Sequence, residues 1–114
     1  MHLTLSMNWI ILIIAGLFEV TFASCLEKAK STTGNEMYFW YAAFAVALTL
    51  SMGLLIKAIQ TIPIGTAYAV WTGIGATGTA LVGIWLFKEP INFFRIFFLI
   101  TLISSIVGLK YVSN

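Results

Sequence analysis

Glu19 stands about midway along the run Met7 to Leu26, which holds no second acid and no Lys, Arg or His to neutralise it. Keeping an ionisable side chain at the middle of a bilayer costs roughly 2.5–3.5 kcal/mol even on lenient insertion scales. An acid retained at that depth marks a functional site, and a chain that carries it must fold around it. The surrounding sequence leaves no doubt about the solvent: of 114 residues, 61% are hydrophobic and only 9% charged, with a mean hydropathy of +1.01. A soluble domain of this length has too little interior to bury so much apolar surface.

Crossing about 30 Å of hydrocarbon takes roughly 20 apolar residues in a helix. The chain divides into four such stretches, predicted at Met7–Leu26, Tyr38–Ile59, Gly65–Phe87 and Ile91–Val112. The fold class expected is therefore an all-α integral membrane protein, a single four-helix domain over residues 1–114. Three polar breaks separate the spans: Lys28 to Glu36, the turn Gln60-Thr61-Ile62-Pro63, and Lys88-Glu89-Pro90, with proline at the mouth of the third and fourth helices. The start lacks the Lys/Arg-rich segment and small-residue cleavage site of a secretory signal, so the first helix is expected to be retained, with Met7 as an alternative start.

Chemistry of the common enzymatic kinds is not written here. His2 reads as a disordered terminal residue, and Cys25, the single cysteine, as a small buried apolar residue without disulfide or metal spacing. Neither a phosphate-binding glycine loop nor a nucleophile–histidine pair is present. We expect no enzyme activity, no cofactor, no metal and no nucleic-acid partner. An ion channel is disfavoured because there is no acid cluster or filter-like carbonyl segment.

Charge is spread almost evenly across the membrane. With an even number of spans, Lys57 and Lys110 lie on the side of the termini, and Lys28, Lys30, Lys88 and Arg95 on the other. Two against four is a weak orientation signal, compatible with insertion in both senses and head-to-tail pairing. Size points the same way, since four helices hardly enclose an aqueous cavity and a pathway forms more naturally between two copies.

The face of Glu19 carries Ala15, Gly16, Phe22 and Ala23. Small residues allow close helix packing or leave room for a ligand, and the acid favours a cavity. In the third span Tyr68, Trp71, Thr72 and Gly75 fall on one expected face. Two aromatics beside a carboxylate can enclose an organic cation, with Tyr68 able to donate a hydrogen bond to the acid; aromatics at helical spacing also serve packing. Gly73, Gly75 and Gly78 weaken the helix and permit a bend, a hinge for alternating access; in membranes such glycines equally allow close approach. Trp9, Trp40, Tyr38, Tyr41 and Tyr111, near span ends, are read as interfacial belt residues.

Two segments, Ala15-Gly16-Leu17-Phe18-Glu19-Val20 and Ile62-Pro63-Ile64-Gly65-Thr66-Ala67-Tyr68-Ala69-Val70-Trp71, make the chain resemble the small multidrug resistance transporters over nearly its full length. Thr72-Gly73-Ile74-Gly75-Ala76, Phe87-Lys88-Glu89-Pro90 and Gly108-Leu109-Lys110 resemble the guanidinium exporter subtype. The resemblance implies an antiparallel dual-topology dimer in a bacterial inner membrane, in which Glu19 of each copy binds either protons or an exported cation. It implies that Ser51 supports the carboxylate by hydrogen bonding and that Tyr68 and Trp71 line the site. It also implies guanidinium or small substituted organic cations as substrates.

Three departures from that pattern stand out. Phe22 occupies a position where guanidinium exporters carry a tryptophan whose N–H bonds the acid, which makes the pocket more apolar and leaves a broader quaternary ammonium or aromatic cation exporter as the alternative. The loop from Glu27 to Glu36 is about three residues longer than the family's and begins with Glu27 in place of a common lysine. Ser105 replaces a glycine that, with Gly108, helps pack the fourth spans of the dimer. These changes leave open a paired homologous subunit, and, from another class, a non-transporting subunit whose partner supplies a base to Glu19.

Overall fold

The computed structural model describes residues 2–112, with side chains from Ser6 onward. Four helices account for nearly all of them: α1 (His2–Lys30), α2 (Gly34–Ala58), α3 (Ile64–Trp85) and α4 (Phe93–Val112). Each is long and apolar enough to cross a membrane, and no strand occurs among the described residues.

The helix ends depart from the expected spans for local reasons. Polarity alone does not stop a helix, and Glu27-Lys28-Ala29-Lys30 are good helix formers. They continue α1 to Lys30, with a Glu27–Lys30 ion pair of 2.8 Å across one turn. The helix also reaches back to His2, which is therefore not the disordered residue expected. The loop shrinks to residues 31–33, and the actual break is Gly34, whose φ of +66° favours a residue without Cβ. Glu36 in the first turn of α2 suits the positive end of the helix dipole.

Pro63 precedes α3 in extended conformation, φ −54° and ψ 140°. Pro90, in contrast, lies outside α4; the start signal there is Asn92, whose Oδ1 accepts the Arg95 backbone N–H at 2.8 Å. Before it, Lys88 turns the chain in the left-handed region at φ +56° and the Glu89 N–H donates to the Gly83 carbonyl at 3.0 Å.

The helices pack in a row, α2–α1–α3–α4, with α1 between α2 and α3 and α4 chiefly against α3. The three contacts of α1 with α3 step forward together (Gly16 with Ile74, Glu19 with Gly75, Val20 with Gly78), so these two helices run parallel. The core lies where α1, α2 and α3 meet the α2–α3 turn, around Leu12, Ala15, Leu55, Ala58, Ile62, Val70 and Trp71. Trp9 belongs to this core at 4% exposure. It is not the lipid-facing belt residue expected, whereas Tyr38, Tyr41 and Tyr111 are exposed as a belt requires.

The molecule is a slab measuring 49 × 34 × 18 Å. Its short dimension fits two packed layers of helices, about 8–10 Å between axes, with little room left for a pathway inside one chain.

Candidate functional site

Glu19 sits at the parallel α1–α3 seam, and this seam is built from glycine holes. A Cβ at Gly16 would collide with Ile74, one at Gly78 with Val20, and one at Gly75 with the Glu19 carboxylate itself. Each glycine therefore lets a side chain of the other helix reach the backbone, the way small residues act in membrane helix pairs. Glu19 is 11 residues from the end of α1 at Lys30, a helix rise of about 16 Å, or half the hydrocarbon thickness.

The carboxylate is under-satisfied. Its Oε1 is buried without a hydrogen-bond partner, and neither ion pair among the described residues involves it. Buried carboxylate oxygens without partners are costly and call for a counter-group.

Ser51, expected to support that carboxylate, is committed elsewhere. Fully buried on α2, its hydroxyl donates to the Ala15 carbonyl at 2.7 Å and accepts the Trp71 indole N–H at 2.9 Å. The chain Trp71 to Ser51 to Ala15 ties α3, α2 and α1 together and ends one helical turn before Glu19. Its members are positioned to hold the seam and not to neutralise the acid.

The expected aromatic face divides. Trp71 and Gly75 are buried on one strip, while Tyr68 and Thr72 are exposed on the next, Tyr68 at 55%. The two aromatic rings remain together, 5.4 Å apart at 45°, one buried and one exposed. Phe22 is half-buried and meets Phe44 of α2 edge to face, 5.7 Å between centroids at 86°. Gly16 meets Ile74 in the seam.

Gly73 abuts Ile106 of α4, and Gly75 abuts Glu19, within an α3 that runs unbroken from Ile64 to Trp85. Ser105 and Gly108 are exposed on α4, with nothing near a Cβ added to Gly108. Cys25 is buried. Among the described residues no cluster of His, Cys, Asp and Glu could hold a metal.

Sequence reasoning missed three polar groups. Asn8, 3% exposed, donates from Nδ2 to Thr61 Oγ1 at 2.7 Å and pins the start of α1 to the α2–α3 turn. Thr77, 5% exposed, has a buried hydroxyl with no partner at the junction with α4. The Ala15 carbonyl was invisible as an acceptor because nothing in its side chain advertises it. For Asn8 the signal was present: an amide inside an apolar run needs a partner across helices.

The model of the small multidrug resistance protein family matches residues 7–103. The chain belongs to that family. Its relatives include the guanidinium exporter of Proteus vulgaris, 44% identical over 107 residues, 94% of this chain and all of that protein. The guanidinium exporter of Escherichia coli K12 is 46% identical over 104 residues, 91% of this chain and 96% of that protein. The probable guanidinium efflux system subunit GdnD of Bacillus licheniformis is 44% identical over 107 residues, again 94% of this chain and all of that protein. This small multidrug resistance protein, with four membrane-crossing helices, is thus a multi-pass membrane protein similar to guanidinium exporters.

Proposed function

We propose that this protein exports guanidinium or small substituted organic cations in exchange for protons, as an antiparallel dual-topology homodimer in a bacterial inner membrane. The observation that carries the proposal is the Glu19 carboxylate, lodged on Gly75 at mid-membrane depth with an oxygen that has no partner. A guanidinium ion presents N–H donors in a planar fork that a carboxylate accepts in parallel. A proton neutralises the same group, and the two occupants exclude each other. Cytoplasmic cation displaces protons, and protons entering from outside displace the cation.

The thin slab supports a dimer, because a second copy supplies the missing wall. Tyr68 and Thr72, exposed in one chain, then line the shared cavity beside the buried Trp71, with Phe22 and Gly16 nearby on α1. Gly73 and Gly75 are the hinge of α3, and Ser105 and Gly108 pack the α4 helices of the two copies. Two Glu19 carboxylates facing one cavity titrate as a coupled pair. The names of the exporter relatives support guanidinium as the cation.

The Phe22–Phe44 pair favours a second reading, export of larger quaternary ammonium or aromatic cations, because a hydrocarbon wall replaces an N–H donor. A third is a non-transporting subunit whose partner supplies a base to the unpartnered Glu19; the GdnD relative's name supports instead an efflux subunit paired with a second chain. Liposome currents separate them. We expect pH-driven currents with guanidinium and a guanidinylated alkyl compound that vanish in Glu19→Gln. Equal currents with a quaternary ammonium select the second reading; Glu19-independent or absent currents overturn the transport reading in favour of the third.

A further inference from the structure

The two ends of the molecule differ in how their charges are matched. At the end holding the α1–α2 and α3–α4 loops, two of the four basic side chains are ion-paired, Lys30 with Glu27 at 2.8 Å and Arg95 with Glu89 at 2.7 Å, while Lys28 stands 6.0 Å from the Trp40 ring centroid. The opposite end gathers the start of α1, the α2–α3 turn and the end of α4, as the Asn8–Thr61 bond and the approach of Lys110 to Trp9 establish. Its lysines are Lys57 and Lys110, and no Asp or Glu occurs in residues 1–18, 37–88 or 96–114. Neither lysine has a carboxylate partner among the described residues.

Lys110 is also placed against an opening. A crevice of about 260 Å³ between α1, α3 and α4 is lined by Trp9, Ile13, Val70, Ile106, Val107 and Lys110. Every other lining group is apolar, and the Lys110 ammonium stands over the Trp9 ring, 5.4 Å from its centroid, held there by cation–π attraction. The crevice is thus a hydrocarbon slot with one cation at its headgroup end. That pairing of chemistries fits an amphiphile with an anionic head and a flexible apolar tail.

We propose that this crevice binds one anionic phospholipid, its phosphate on Lys110 and part of an acyl chain against Ile13, Val70, Ile106 and Val107. The volume, below the 300–1,000 Å³ common for compact drug-sized ligands, suits a segment of a single chain. Surface attraction alone would draw anionic lipid equally to Lys57; the slot beside Lys110 adds a tail contact and selects one position. This site is distinct from the Glu19 carboxylate, and its occupancy is read without any transport measurement.

The test is native mass spectrometry of the detergent-purified protein titrated with phosphatidylglycerol or phosphatidylcholine of identical chains. Wild type is expected to retain phosphatidylglycerol over phosphatidylcholine by ~5-fold or more, the attraction of one lysine for an anionic head. Lys110→Gln should remove that preference, Lys57→Gln should keep it, and Val107→Trp, which fills the slot with Lys110 in place, should reduce retention of both lipids. Thermal unfolding provides an independent reading: added phosphatidylglycerol should raise the Tm of wild type and of Lys57→Gln but not of Lys110→Gln. Equal retention of the two lipids, an unchanged preference in Lys110→Gln, or full displacement by inorganic phosphate would overturn the proposal. So would loss of lipid on dimer formation, which would make a second copy the occupant.

Discussion

Helices α1 to α3 and helix α4 are all apolar enough to cross a membrane, yet among the described residues only the first three send polar atoms across to one another. In the first three, Thr21, Ser24 and Thr49 bond carbonyls of their own helix, but Ser51, Trp71 and Asn8 reach across to other elements. In α4, Thr101, Ser104 and Ser105 each bond a carbonyl of their own helix, at 2.8–2.9 Å, and no residue is buried. Lipid tails are as apolar as leucine, so membrane helices associate through close packing and such cross-helix bonds. The contrast separates a three-helix unit that builds the site from a fourth helix left open to lipid or to a second copy.

The largest effect is expected at the site of the three-helix unit. Glu19→Gln keeps the shape of the side chain and removes its charge, and guanidinium binding should weaken by about 2–5 kcal/mol. Isothermal titration of purified protein checks it. An unchanged affinity would mean that the unpartnered carboxylate is a packing accident, and the distinction between the two regions would lose its functional content.

Gly75→Ala comes next. Its Cβ would overlap the Glu19 carboxylate, so the acid must move or the α1–α3 seam must open, at about 1–3 kcal/mol of overpacking. Both a lower Tm and weaker guanidinium binding are expected. Gly78→Ala presses on Val20 instead and should lower Tm with a smaller change in affinity.

The serines give the sharpest internal control. Ser51→Ala strands the Trp71 N–H and the link to Ala15 in the core, a loss of about 1–3 kcal/mol. Ser105→Ala removes a hydroxyl that bonds only its own helix on an exposed face, and should change stability by less than about 0.5 kcal/mol. Thermal unfolding in one detergent compares them directly. Equal effects would erase the difference between the two regions.

Much of the fold was legible because span length and charge exclusion are one-dimensional properties. Four runs and three breaks followed from them, as did Glu19 as the anomalous group. The helix ends were less legible: polarity was read as loop at Lys28 to Lys30, where helix propensity and an ion pair carry α1 onward. The site's partners were not legible, because they depend on which helix faces which. Ser51 and Glu19 sit on different helices, and only the packing of α2 on α1 reveals that the serine meets the Ala15 carbonyl and not the acid. Trp9 misled for the same reason, its position near a span end concealing that it joins the buried core with the Lys110 ammonium over its ring. The glycines of α3 support a hinge or a hole by sequence alone; their neighbours Ile106, Glu19 and Val20 show close approach at all three, which leaves the hinge at Gly73 and Gly75 a proposal.

The central claim is that one carboxylate takes a proton or a guanidinium but not both. It predicts that guanidinium affinity falls as pH drops through the titration of Glu19, by up to about tenfold per pH unit for each proton displaced, and levels off above it. The direct measurement is proton release on guanidinium binding, read with a pH dye in weakly buffered detergent solution. The account predicts release with wild type and none with Glu19→Gln. Guanidinium binding by wild type without proton release, across the pH range where the site binds, would contradict it.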